Sequence, residues 1–285
     1  MHPTLDLFGA HIDLYLATIA IAAVVANRLG LWIGEHVEGI PRAKMRSMLL
    51  WLAVVAFAGA RAQFVWNTWS FGTYSTHPID VLKVWRGLHA GGGLAALVIA
   101  LPFVVRGHGV SLGRFADVIF PTIPIGLAIV RIGCFLQGCC FGHASDLPWA
   151  VSFPPGSPAA NFHASTGLIE RGGDWSGPVH PLQLYFAGAG VVAALAARWA
   201  YDRSTYPGRV ALVTAAVFCT LTALAEAIRA PYYPQLYFWG ARMQFEWIAI
   251  GLAGVALLAL GSAEVWHRLN VSPAPAVPAI KRAAP

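Results

Sequence analysis

DLYLATIAIAAVVANRLGLWI, residues 13–33, carries charge only at Asp13 and Arg28. A helix needs about 20 mostly apolar residues to cross the hydrocarbon core of a bilayer, and this run has that length. Six more runs of the same kind follow near 47–67, 87–105, 116–137, 182–201, 209–229 and 244–263. The pattern predicts an all-α integral membrane protein of about seven transmembrane helices, one domain over 1–270. The Pro/Ala-rich tail 271–285, ending in Lys281, Arg282, Ala283, Ala284 and Pro285, is expected to be disordered.

Composition excludes a soluble reading. Of 285 residues, 57% are hydrophobic and 11% charged, whereas soluble domains average about 25% charged. The net charge of +6 does not point to nucleic acid, because the basic residues stand singly between apolar runs. They are distributed as the positive-inside bias requires. Roughly eleven Lys and Arg fall in alternate connections and the tail: Arg42, Lys44, Arg46, Arg106, Arg114, Arg198, Arg203, Arg209, Arg268, Lys281 and Arg282. The opposite side has four: Lys83, Arg86, Arg171 and Arg242. The N-terminus is therefore expected outside and the C-terminus in the cytoplasm, with the long connection Gly138–Pro181 outside. Met1–Ala10 lacks the basic start of a cleavable signal. Cys134, Cys139, Cys140 and Cys219 are expected to hold no metal. The vicinal pair is a poor disulfide, and zinc prefers C-x₂₋₄-C spacing with further ligands.

An ionisable side chain inside a span costs a few kcal/mol and marks a candidate site. Arg28, Arg198 and Arg209 lie near helix ends and are read as snorkelling. Arg61, His89, Arg131, Glu226, Arg229 and Glu246 lie deeper or at helix entries. Glu226 and Arg229 stand at i, i+3 and can pair. Arg61 and Arg131 have no acid close in sequence, so each needs a partner in space or an anionic ligand. The run Gly91-Gly92-Gly93 suits close helix packing or approach of backbone to a ligand. Several arginines near one face suit an anionic lipid head group, since guanidinium binds phosphate through paired, charge-assisted hydrogen bonds.

RIGCFLQGCCFGHASDLPWAV, residues 131–151, resembles the signature of the prolipoprotein diacylglyceryl transferase family, R-x-G-N-F-x-N-G-E-x-x-G followed by a D-L-P-W-A-like stretch. Arg131, Gly133, Phe135, Gly138 and Gly142 fall in register. HPTLDLFGAHIDLYLAT, with Tyr15, looks like the family's entry to its first helix; AGAR, ending at Arg61, resembles its G-x-R. HPLQLY (180–185) and AEAIRAP (225–231) resemble its H-P-x-Q-L-Y and E-x-x-R-x-P. The resemblance spans nearly the whole chain.

It implies a multi-pass protein of the bacterial cytoplasmic (inner) membrane, acting without cofactor. Such an enzyme moves a diacylglyceryl group from phosphatidylglycerol to the lipobox cysteine of a preprolipoprotein, and a monomer is expected. Arg131 would hold the departing phosphate, with Arg229 or Arg61 assisting. His89 is favoured as the base for the acceptor thiol and Glu226 as the orienting partner of an arginine. Substrate contacts are assigned to Tyr15, Arg61, Arg86, Gly133, Cys134, Gln137, Gly142, His180, Gln183, Tyr185 and Arg229.

The chain departs from the family pattern at several polar positions. Cys134, Gln137 and Cys139 replace Asn, Asn and Glu; Thr222 replaces an arginine; Phe186 replaces an acid; Ala90 separates His89 from the glycines. A thiol hydrogen-bonds only weakly, so the change at Cys134 alters what the site can hold. Two alternatives stand beside the leading one: a paralogue using another acceptor, and a non-catalytic lipid-binding protein. A small transporter is disfavoured, since the halves show no inverted repeat.

Overall fold

The structure, a computed structural model, describes residues 4–7, 10–69, 74, 77–169, 174–230, 236–238, 241–243 and 245–270. Two antiparallel strands, β1 (Thr4–Leu7) and β2 (Ala10–Asp13), lead into α1 (Leu14–His36). Then come α2 (Arg42–Asn67), two short 3₁₀ turns (Pro78–Leu82 and Val84–Arg86), α3 (Ala90–Gly107) and α4 (Leu112–Gln137). A cap segment contains α5 (Pro158–Ser165), and α6 (Leu182–Tyr201) and α7 (Arg209–Glu226) follow it. A second hairpin, β3 (Leu236–Phe238) and β4 (Ala241–Met243), precedes α8 (Phe245–Asn270).

Among the described residues, six helices are long and apolar enough to cross a membrane; they are α1, α2, α4, α6, α7 and, over Ile250–His267, α8. The expected third span is the shorter apolar helix Gly91–Gly107. Its N-terminal turn is glycine, which carries no apolar side chain. Leu50, Val98, Phe103, Leu195 and Leu258 project outward with most of their surface bare. Water would penalise such a belt, whereas lipid does not distinguish it from a core. Pro102 in α3, and Pro121 and Pro124 in α4, sit inside helices, as neighbouring helices permit in membrane proteins.

Alternating direction gives the bundle two ends. At one, a hydrophobic cluster of Leu31, Ile40, Met45, Met48, Val105, Phe115 and Val118 is closed over by polar contacts. Arg114 pairs with Glu38 at 3.4 Å, and Lys44 donates to the His108 carbonyl at 3.1 Å. Burial pushes the Glu38 carboxyl above its usual range, with nearby Asp117 adding to the effect against Arg114. Buried Asp117, well inside α4 by sequence, accepts from the backbone N–H of Gly208 (2.6 Å) and Ala211 (2.8 Å). It thereby satisfies orphan donors at the start of α7, as a local cap would. The Lys/Arg-rich connections lie at this end.

The other end bears the described residues of 68–89 and of the 138–181 connection, with the C-terminus of α7. The described residues of 138–181 form a folded cap, with Phe141, Phe153, Ala159 and Val179 packed together with Ala230 beyond α7 in a small core. Short bridges tie it down, with Gly142 N–H donating to the His180 carbonyl (3.0 Å) and His143 N–H to the Ile228 carbonyl (2.9 Å). His163 accepts from Gly177 N–H through Nδ1 at 3.0 Å, and burial lowers its pKa below the ordinary histidine value. α2 packs chiefly on α3, whereas α4 joins α1, α6 and α7. A Cβ on Gly92 would lie 2.3 Å from the Gly59 carbonyl oxygen, and one on Gly59 2.5 Å from that of Gly92. The glycine run thus serves close backbone approach between α2 and α3. Arg171 and the tail 271–285 lie outside the described residues, as do the side chains of Arg242 and Glu246.

Candidate functional site

Three elements meet where α4 ends. Arg131 projects from its last turns, half-buried, with its guanidinium carbon 4.5 Å from the centroid of Phe186 on α6. Arg229, just past α7, approaches the same ring at 5.5 Å. Glu226, 4% exposed, holds Arg229 by both carboxylate oxygens, through Nε and through a second nitrogen at 2.9 Å. The ion pair foreseen from i, i+3 spacing is therefore present and bidentate. No carboxylate among the described residues pairs with Arg131. One guanidinium is neutralised, its neighbour has no carboxylate partner among the described residues, and Phe186 is the shared platform.

The chain leaves α4 through a left-handed glycine. Gly138 has φ of 73°, its N–H bonds to the Phe135 carbonyl, and Cys139 N–H reaches back to Cys134 O at 3.1 Å. This is a Schellman closure. Cys140 is then also left-handed, at φ of 60°. The double reversal gathers the Sγ atoms of Cys134, Cys139 and Cys140 within 4.8 Å of one another. The Cys139 thiol is pushed well above its ordinary pKa, first by hydrogen bonding to Cys134, then to Cys140, then by burial. It also donates to Gln137 Oε1 at 3.7 Å. Cys140 hydrogen-bonds Arg229. Tyr15 at the start of α1 lies within electrostatic reach of all three thiols and Arg131.

The remaining candidates build walls. Gln183, fully buried, donates to the Cys139 carbonyl at 2.5 Å and so positions the thiol loop. Tyr185 accepts from Trp149 Nε1 (2.8 Å) and lies 3.2 Å from His180 Nδ1. A Cβ on Gly133 would meet Thr18 Oγ1 at 2.0 Å, and one on Gly142 would meet the Ile228 carbonyl at 2.7 Å. Both glycines assigned to substrate are thus points of close packing, on α1 and on the α7 exit.

Arg61, assigned from the sequence to substrate, has main-chain partners. It is 6% exposed and donates to three backbone carbonyls: Val81 (2.7 Å), Asp80 (2.7 Å) and Gly87 (2.9 Å). Its partners are main-chain oxygens, which no search for acidic residues finds. Arg86 pairs with Asp80 at 2.9 Å, and Lys83 pairs with the same carboxylate. Hydrogen bonding to Lys83 is the first cause holding the Asp80 carboxyl below its ordinary range, with Arg86 adding to it against burial. His89 is the N-cap of α3, half-buried, its N–H bonded to the Ala60 carbonyl at 2.9 Å. It sits at the same end of the bundle as Arg131. No hydrogen bond, ion pair or ring contact among the described residues joins it to the Arg131–Glu226–Arg229 group.

The family model for prolipoprotein diacylglyceryl transferase matches residues 3–260. The chain belongs to that family. Relatives named phosphatidylglycerol–prolipoprotein diacylglyceryl transferase include one from Pseudomonas putida, 28% identical over 235 residues, covering 81% of this chain and 80% of the relative. One from Neisseria meningitidis is 28% identical over 208 residues, covering 70% and 72%. Within the family's scaffold, this member's site combines the signature arginine with a thiol cluster where the pattern has Asn and Glu.

Proposed function

We propose that this chain is a phospholipid-dependent transferase that moves the diacylglyceryl group of phosphatidylglycerol onto a cysteine thiol of a prolipoprotein. The observation that carries the reading is Arg131: a half-buried guanidinium in a membrane helix, stacked on Phe186, with no carboxylate of its own among the described residues. An anion is the complement such a group needs, and a phosphodiester presents two oxygens to its fork.

In the reaction, the acceptor sulfur attacks the glycerol carbon that bears the phosphate. A C–S bond forms, the C–O bond breaks, and glycerol phosphate leaves with the electron pair. Arg131 stabilises the charge that grows on the phosphate. Arg229 sits beside it, fixed by Glu226. That bidentate commitment makes Glu226 a positioning residue and leaves His89 as the proton acceptor. Imidazole is suited to that task, with an unperturbed pKa of about 6.5. The site end of the bundle faces outward and the Lys/Arg-rich end faces the cytoplasm, in a bacterial inner membrane. The chain acts as a single copy.

The departures at Cys134, Gln137, Cys139 and Thr222 favour one second reading: the same lipid donor with a different acceptor. Complementation of a strain depleted of its diacylglyceryl transferase separates the two. Rescue by the wild-type chain and not by Arg131→Lys supports prolipoprotein transfer. Failure to rescue, with phosphatidylglycerol still consumed by the purified chain, supports another acceptor. No consumption and no rescue sinks both.

A further inference from the structure

Three thiols from two turns of chain converge at the end of α4. Cys134 is buried on the helix, Cys139 follows the left-handed Gly138, and Cys140 itself takes a left-handed backbone that a side chain rarely adopts. A metal with bonds to sulfur of about 2.3 Å needs its trigonal ligands about 4.0 Å apart. The observed limit of 4.8 Å requires only small inward rotations. A disulfide needs about 2.05 Å between two sulfurs and leaves the third thiol over.

We propose that Cys134, Cys139 and Cys140 form a three-thiolate site for a soft monovalent cation of the copper(I) class. Thiolate ligands select soft cations. No histidine or carboxylate among the described residues joins the group, so a tetrahedral zinc site would lack its fourth protein ligand. Binding replaces three S–H protons by one cation and releases them to solvent. The complex carries two negative charges, which Arg131 near Cys134 and Arg229 hydrogen-bonded to Cys140 offset in part. Gln183, holding the Cys139 carbonyl, fixes the loop. The proposal does not rest on the transfer reaction, although the cluster shares Arg131 and Arg229 with it.

The test uses the purified full-length chain in detergent, kept reduced with a phosphine, and titrated with silver(I) as a redox-inert probe. One silver ion per chain is expected to bind, with a thiolate charge-transfer absorption in the ultraviolet. Loss of even outer-shell partners weakens metal sites 10–100-fold, so Cys139→Ser and Cys140→Ser should each weaken binding by at least about 100-fold. Cys219→Ser, on α7 outside the cluster, should bind as the parent does. In the unmutated chain, silver should shield Cys139 and Cys140 from alkylation, read by mass spectrometry, which needs no variant to fold. Absence of saturable binding, binding that survives both serine variants, or unshielded Cys139 and Cys140 overturns the site. Zinc(II) binding as tight as silver(I) overturns the three-coordinate assignment.

Discussion

Replacing Arg61 by Met tests whether this buried charge serves the lipid or the fold. The guanidinium donates to the carbonyls of Asp80, Val81 and Gly87 at 2.7–2.9 Å. A hydrogen bond from a charged donor contributes about 1.5–3 kcal/mol, so three give about 4.5–9 kcal/mol. Removing the charge also removes its desolvation penalty, which is several kcal/mol. The net loss is therefore about 3–5 kcal/mol, felt mainly by residues 78–89, which the arginine pins to α2. At 1.4 kcal/mol per factor of ten, opening of this segment should rise by more than about 100-fold. Trypsin reports it directly, since Lys83 and Arg86 lie in the pinned segment with 37% and 41% of their side chains exposed. The variant should be cut there at least ~100-fold faster at limiting protease, and Arg61→Lys should fall between it and the parent. Parental resistance at both sites together with lost phosphatidylglycerol binding would refute the anchor and restore Arg61 to the lipid.

Arg131→Lys keeps the charge and loses the fork, so transfer should fall by about 10²–10³ while the unfolding midpoint stays within a degree or two; unchanged turnover removes Arg131 from the phosphate. His89→Gln should abolish transfer yet retain lipid binding, whereas Glu226→Gln should lower thermal stability as well; a stable, inactive Glu226→Gln beside an active His89→Gln reverses their roles. For His163, the folded pKa is depressed by burial, so its neutral form is favoured in the fold. Stability is full above the unfolded value of about 6.5 and falls as pH drops through and below it; the thermal midpoint of the parent should decline over that window more than that of His163→Gln. Asp117→Asn should weaken the start of α7 by about 1–2 kcal/mol, seen as faster backbone exchange at Gly208 and Ala211 in deuterium-exchange mass spectrometry. Reporter fusions after Glu38 and Asn270 should report cytoplasm and one after Leu168 the outside; the reverse at Leu168 overturns the orientation.

Hydropathy located the six long apolar helices, and its third run falls on the shorter apolar helix Gly91–Gly107, because lipid-facing apolar length is a property of composition alone. α2 begins at Arg42, where apolarity placed it at 47, since Arg42, Lys44 and Arg46 form a polar first turn that hydropathy discounts. The Glu226–Arg229 pair was legible from spacing, and Arg131 from its charge in an apolar run. Phe186 was read only as a missing acid; its role as a ring shared by two guanidiniums depends on α6 facing α4, which no local pattern encodes. The cysteine spacing argued against zinc, which prefers C-x₂₋₄-C with further ligands; spacing alone does not show that the three Sγ atoms stand within 4.8 Å of one another. Left-handed residues at 138 and 140, on either side of Cys139, bring the thiols together, and glycine at 138 was the available signal for the first of them. Asp117 was missed entirely: the N–H groups it caps lie 91 and 94 residues further on.

The Arg61 anchor also sets a clock on biogenesis. Its carbonyl partners follow it by 19–26 positions in the chain, and synthesis runs at about 5–20 residues per second. For roughly 1–5 s, α2 carries an uncompensated guanidinium into its spanning position before the groups that satisfy it have been made. α2 alone is thus a poor stop for the insertion machinery. The guanidinium of α2 is satisfied only in the hairpin, once residue 87 has been made and α3 can close against Gly59.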